Sequence, residues 1–167
     1  MLSSHDQLAE FHALLQQQAS PFEALHFIAE NVKKALSAER ASVLVYDKER
    51  EQFWTIVGEA QEKIVVPYDQ GIVGKTFRTG KVQLENEPYN SSHFFAEVDM
   101  QLGYYTQNIL AFPIFDANQD IIAIIELLNK PTSFTKKDKN FVNDLTQQIS
   151  PHMTPAPQII SQTKETT

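Results

Sequence analysis

The chain has 167 residues, 42% of them hydrophobic and 21% charged, and a formal net charge of −7. That length supports one buried core with the composition of an ordinary globular domain, and the acidic balance argues against a general nucleic-acid binder, which needs a basic footprint. With no cysteine, the chain has no disulfide, thiol catalysis, thiolate metal site or thioether-linked chromophore.

Residues 6–18 have helix-forming composition, with Leu8, Phe11, Leu14 and Leu15 on one stripe. Ser20-Pro21-Phe22-Glu23 then supplies an N-cap serine, proline at the first helical position and glutamate at the third, the signature of a capping box. Phe22, Leu25, Ile28, Ala29, Val32 and Leu36 recur behind it at helical spacing, so a helix is predicted over 21–36. His26 in this run reads as a boundary histidine. Three strands follow, over 41–46, 52–57 and 63–66, in an antiparallel meander. Ile72–Thr79 fits a short helix stopped by Gly80, and 81–84 a further short strand.

Residues 85–107 mix polar turn formers with Tyr89, Phe94, Phe95, Tyr104 and Tyr105. A long aromatic-bearing connection of this kind either covers a binding site or packs its rings on the core. Two apolar runs joined by a five-residue polar turn, 108–115 and 121–128, then read as a deeply placed β-hairpin. Pro113 in the first run cannot donate to a ladder, which predicts a locally open edge or a non-bonded site. In the second run strict alternation puts Ile122, Ile124, Glu126 and Leu128 on one face and Ile121, Ala123, Ile125 and Leu127 on the other. Glu126 is the one ionisable residue of that run. A carboxylate among such neighbours must be paired, protonated or at a cavity wall, which is the first sign of a pocket. Thr135 with Asp138 three residues on predicts the cap of a last helix, carrying Phe141, Val142, Leu145 and Ile149 and ending near Pro151.

The expected fold class is therefore α+β, an antiparallel sheet with helices packed on it. It divides into an N-terminal helix or linker over 1–19, a domain over 20–152, and a polar tail or linker over 153–167. The N-terminal segment carries His5, Asp6 and Glu10 among its apolar residues and does not read as a signal peptide. No run free of charged and polar residues approaches the ~18 residues of a membrane span. The expected location is cytoplasmic.

Catalytic and metal motifs fail in turn. Gly74-Lys75-Thr76 ends like a phosphate-binding P-loop, but Asp69 stands where its first glycine belongs. His5, His12, His26, His93 and His152 show no metal-site spacing along the chain, and no nucleophile-elbow GxSxG occurs. Neither an enzyme nor a cofactor is expected.

Asn129-Lys130, Phe134 and Asp138 resemble the Asn-Lys…Phe…Asp-Glu signature of GAF domains, in particular the cyclic-nucleotide-binding GAF domains of phosphodiesterases and bacterial adenylyl cyclases. Lys139 replaces the final glutamate. The likeness extends to the segment 67–81 and the hairpin 106–130, and covers roughly 22–149. The resemblance implies a sheet with terminal helices on one face and a short-helix and loop cover over a pocket on the other. It also implies that the signature ties the strand end to the last helix, and Lys130 and Asp138, on either side of that junction, are expected to pair.

Carried over residue by residue, the resemblance gives a ligand set. Ser42 would face a purine, Thr106 and Glu126 would be polar pocket residues, and Asp99 an acidic position of the cover. Ile72 and Val73 would bring backbone amides to a phosphate, a role that a helix N-terminus suits. Gly71 and Gly74 would allow close backbone approach. Three positions depart from the family: Ile56 stands for a stacking aromatic, Val57 for an acidic residue and Leu102 for a threonine. The lost aromatic and hydroxyl contacts amount to about 0.5–1.5 kcal/mol each, a weakening on the order of tenfold to a hundredfold, or a change of ligand. Trp54 or Tyr104 could restore stacking. The expected function is a regulatory module that binds a small molecule, cAMP or cGMP foremost, and signals through its terminal helices to an output domain. The alternative is a ligand-free dimerisation or scaffold module, with a homodimer formed through Phe11, Leu14 and Leu15 and through Val142, Leu145 and Ile149. A methionine sulfoxide reductase of the same fold is disfavoured by the lack of cysteine.

Overall fold

Local signals set the helix frame. The computed structural model describes residues 5–57, 62–88 and 106–153, and its helices begin and end at the residues chemistry favours. After α1 (His5–Gln16), α2 (Pro21–Leu36) starts where Ser20 Oγ accepts from the Glu23 amide at 3.1 Å, and it ends at Ser37 in the left-handed region. The short α3 (Gly71–Thr79) is stopped by Gly80 at φ 65°, whose amide donates to Thr76. The full reciprocal capping box sits at α4 (Lys136–Ile149). There Thr135 Oγ1 accepts from the Asp138 amide and the Asp138 carboxylate accepts from the Thr135 amide. A 3-10 turn, Ser150–His152, follows it.

The strands are β1 (Arg40–Asp47), β2 (Gln52–Val57), β3 (Glu62–Pro67), β4 (Gln83–Glu85), β5 (Ile109–Phe115) and β6 (Ile121–Leu128). Among the described residues they form one sheet in the order β3-β2-β1-β6-β5-β4, with every neighbour antiparallel. The hairpin β5–β6 lies inside it, between β1 and β4, and both of its faces carry packed side chains. On one face α1, α2 and α4 pack over Val43, Val45, Trp54, Leu110, Phe112, Ala123, Ile125 and Leu127. On the other, Ile72 and Val73 of α3 cover Leu44, Phe53, Ile109, Ala111 and Ile124.

Two expectations need correction. Strict alternation in β6 fails at its start: Ile114 pairs with Ala123 and Phe115 with Ile121, so Ile122 is the extra residue of a bulge. Ile122 therefore joins the helix-covered core and Ile121 the α3 side. The proposed dimer stripes are also already occupied. Phe11, Leu15, Val142, Leu145 and Ile149 are buried within this one chain, and of the six only Leu14 is exposed. Pro113 sits where β5 is locally an edge, because β4 pairs no further than Ala111. Among the described residues no helix is long and apolar enough to cross a membrane.

Candidate functional site

On the α3 side, register assembles a row across three strands. Glu126 of β6 lies opposite Ser42 of β1 on one flank and Ala111 of β5 on the other. Directly opposed residues point to the same face, and both neighbours of the carboxylate are small. The row thus sets a half-buried carboxylate beside a half-buried hydroxyl, with the buried Ala111 on the other flank. Ala111 also belongs to the cluster under Ile72 and Val73, so the N-terminal turn of α3 is seated beside the row.

That turn suits a negatively charged group. The first amides of a helix have no intrahelical acceptor, and Gln70 at the N-cap makes no side-chain cap. Gly71 has φ 68°. A Cβ on Gly74 would stand 2.6 Å from the Asp69 carbonyl carbon, so this glycine admits the chain's own turn. The side chains of Ile72 and Val73 are buried in the core, which leaves only their backbone to face a ligand.

Thr106 is fully buried ahead of β5, apart from the Ser42–Glu126 row in the strand register. Ile56 and Val57 are the last two residues of β2, opposite Lys63 and Glu62. Asp99, Leu102 and Tyr104 lie outside the described residues. Trp54 cannot stack on a ligand here. It is on the helix-covered face, with Phe22 stacked at 5.9 Å and Lys63 Nζ 5.2 Å from its ring. Beyond the far part of α3, Phe77 packs with Tyr46, Phe53 and Tyr68. Burial, with Glu51, Tyr68 and Asp47 adding to it, raises the Tyr46 hydroxyl above the usual tyrosine range.

The signature residues meet at the base of the hairpin. Lys130 Nζ donates to Asp138 Oδ2 at 2.6 Å, the same oxygen that accepts from the Thr135 amide at 3.0 Å. Asn129, at φ 63°, accepts with Oδ1 from the amides of Gln107 and Asn108. Asn108 answers by accepting from the Lys130 amide and donating to the Lys130 carbonyl. Phe134 is buried, and its amide and carbonyl are both met by the side-chain amide of Asn86. Sequence reasoning gave no role to Asn86, whose partner lies 48 residues away, and nothing local announces it. Asn108 could have been suspected as a polar residue at the root of an apolar strand. Among the described residues no group of three or more histidine and acidic side chains gathers to hold a metal.

The sequence pattern of the GAF domain matches residues 21–152. The chain belongs to the GAF domain family. As a GAF domain it is a regulatory, small-molecule-binding type of module, of a family that is generally not catalytic. It is similar to the cGMP-specific 3',5'-cyclic phosphodiesterases of Drosophila melanogaster and Drosophila pseudoobscura pseudoobscura, each 32% identical over 81 residues. That match takes in 48% of this chain and 7% of each phosphodiesterase. In fold it is similar to the GAF domain of a phosphoenolpyruvate-protein phosphotransferase from Coxiella burnetii. The TM-score is 0.73 at 14% identity, over 95% of this chain and 93% of that one. It is also similar to a free methionine-R-sulfoxide reductase from Neisseria meningitidis, with TM-score 0.66 at 12% identity, over 84% and 81%.

Proposed function

We propose that this GAF domain binds a cyclic nucleotide, cGMP or cAMP, over the Ser42–Glu126 row beside α3 and passes the binding event to an output domain through its terminal helices. The Ser42–Glu126–Ala111 row beside the N-terminal turn of α3 carries the reading. A carboxylate and a hydroxyl offer hydrogen bonds to a purine edge, and uncapped helix amides at Gly71, Ile72 and Val73 suit a phosphate. The phosphodiesterase likeness supports the same ligand class. Thr106, Asp99, Ile56, Val57 and Leu102 complete the proposed set by resemblance. The row lies on β1 and β6, and Lys130–Asp138 links the end of β6 to the first turn of α4. An event at Glu126 thus has a short covalent and ionic route to the last helix.

Thermal melting with cGMP, cAMP and their non-cyclic monophosphates tests this. A ligand at about 100 times its dissociation constant adds about 2.7 kcal/mol if it binds only the folded state, which for a chain of this size raises Tm by several degrees. Glu126→Ala is expected to remove the rise while leaving the melt cooperative. A chain whose Tm ignores both cyclic nucleotides, or a Glu126→Ala variant that responds like the parent, overturns the proposal.

A further inference from the structure

The strand β3 is an open edge. In the sheet order β3-β2-β1-β6-β5-β4 it has β2 on one side and, among the described residues, no strand on the other. Its six residues pair with β2 without a bulge, so its outer backbone offers a straight row of hydrogen-bonding groups to a further strand. Only Pro67, which has no N–H, closes that row at its end. The opposite edge, β4, is three residues long. Among the described residues the large apolar side chains left exposed are Leu14, Val65 and Tyr68, and two of these belong to β3 and the turn after it. Val65, in the middle of the strand, is 47% exposed. A lysine often blunts such an edge, but Lys63 Nζ lies 5.2 Å from the Trp54 ring centroid, back over the sheet instead of across the edge.

Val65 lies opposite Trp54, so Val65 and, by alternation, Lys63 stand on the helix-covered face, while Ile64 and Val66 face α3. A second copy fits this edge antiparallel, about a twofold axis normal to the sheet. Such an axis keeps every side chain on its own face, so a residue meets itself or one an even number of places away. Lys63 against Lys63 sets like charges opposite each other, which is unfavourable. Val65 against Val65 covers the exposed apolar side chain of both copies and puts Ile64 against Val66. In that register each Lys63 also comes to the end of the second copy's strand that carries Asp69. Lys63 and Asp69 are both exposed, and neither has an ion-pair partner among the described residues. A cation near the start of the strand and an anion just past its end are complemented by an antiparallel copy and opposed by a parallel one.

We infer that two copies of this domain pair through β3, antiparallel and with Val65 against Val65, into one continuous sheet with both helix layers on the same face. A stable interface takes about 20–30 residues a side, far more than this edge supplies, so the pairing is weak and depends on concentration. It uses β3 and the turn after it and leaves the Ser42–Glu126 row out, so the inference is independent of the nucleotide reading.

Sedimentation equilibrium over a range of protein concentrations tests it, with cross-linking as a second readout. The mass of the parent is expected to rise from one chain toward two as concentration increases. Val65→Lys, which sets two ammonium groups face to face, is expected to stay at the mass of one chain, and Lys63→Glu to pair more weakly than the parent. Because the chain has no cysteine, Val65→Cys places a single thiol at the twofold axis, where directly opposed side chains come near disulfide distance. Under mild oxidation it is expected to link two chains at least about tenfold faster than Leu14→Cys, since pairing raises the effective thiol concentration. Far-UV circular dichroism checks that the variants fold; should Val65→Lys fail, the Val65→Cys rate decides. A parent that keeps the mass of one chain throughout, a Val65→Lys or Lys63→Glu variant that pairs like the parent, or Leu14→Cys linking as fast as Val65→Cys overturns the inference.

Discussion

One oxygen of Asp138 serves two donors, the Lys130 ammonium at 2.6 Å and the Thr135 amide at 3.0 Å, at a site where both charged side chains are largely shielded. Asp138→Asn keeps the shape and removes the charge, leaving a shielded ammonium without its counterion. The expected loss is about 1–3 kcal/mol, read as a fall in Tm, and Lys130→Met in the same background is expected to recover part of it. At Asp47, burial works against the ionised form, but the Arg50 side chain and the amides of Arg50 and Glu49 outweigh it and hold the carboxyl below its usual range. A depressed carboxyl stabilises the fold above its unfolded pKa and loses that contribution as pH falls through the folded value. Asp47→Asn is therefore expected to melt lower than the parent at neutral pH, and the gap to close as pH drops below the carboxylate range. Lys130 and Asp138 were legible because their residue types and spacing follow a family signature. Asn86 was not, because a backbone segment 48 residues on decides what its amide meets.

Helix boundaries were the most legible elements, since caps are local chemistry: Ser20, Gly80 and Thr135 each stand where a terminus falls. The faces of β6 were legible only from Ala123 onward, because the bulge at Ile122 breaks the period-two rule that the reading assumed. At α3, Gly74→Ala would set a methyl 2.6 Å from backbone carbon of Asp69. The expected loss is about 1–3 kcal/mol, with a weakened α3 start and hence weaker nucleotide response in the same melts. At α4, Lys136, Lys137 and Lys139 are exposed in the first turn, where the helix dipole favours negative charge. Lys139→Glu, which restores the residue type of the family signature, is expected to stabilise by about 0.3–1 kcal/mol at low salt and less at high salt.

What the amphipathic helices face decides the architecture of the whole molecule. A stripe such as Val142, Leu145 and Ile149 tells only that something apolar must cover it, and a partner chain satisfies the sequence as well as the chain's own sheet does. The structure assigns the stripe inward: Leu145 is 2% exposed, and Val142 and Ile149 are fully buried with Phe11 and Leu15 in the same core. The two cases separate experimentally. Were the stripe a dimer face, a charge at Leu145 would give a folded monomer. With the stripe in the core, Leu145→Asp buries a carboxylate without a counterion, which is severely destabilising. We expect Leu145→Asp to lose its cooperative thermal transition and near-native circular dichroism, with no folded species of halved mass in size-exclusion chromatography. Leu14→Asp, at the one exposed member of the two stripes, is expected to keep the fold. A change of its elution volume would mark α1 as the surface through which copies of this domain meet.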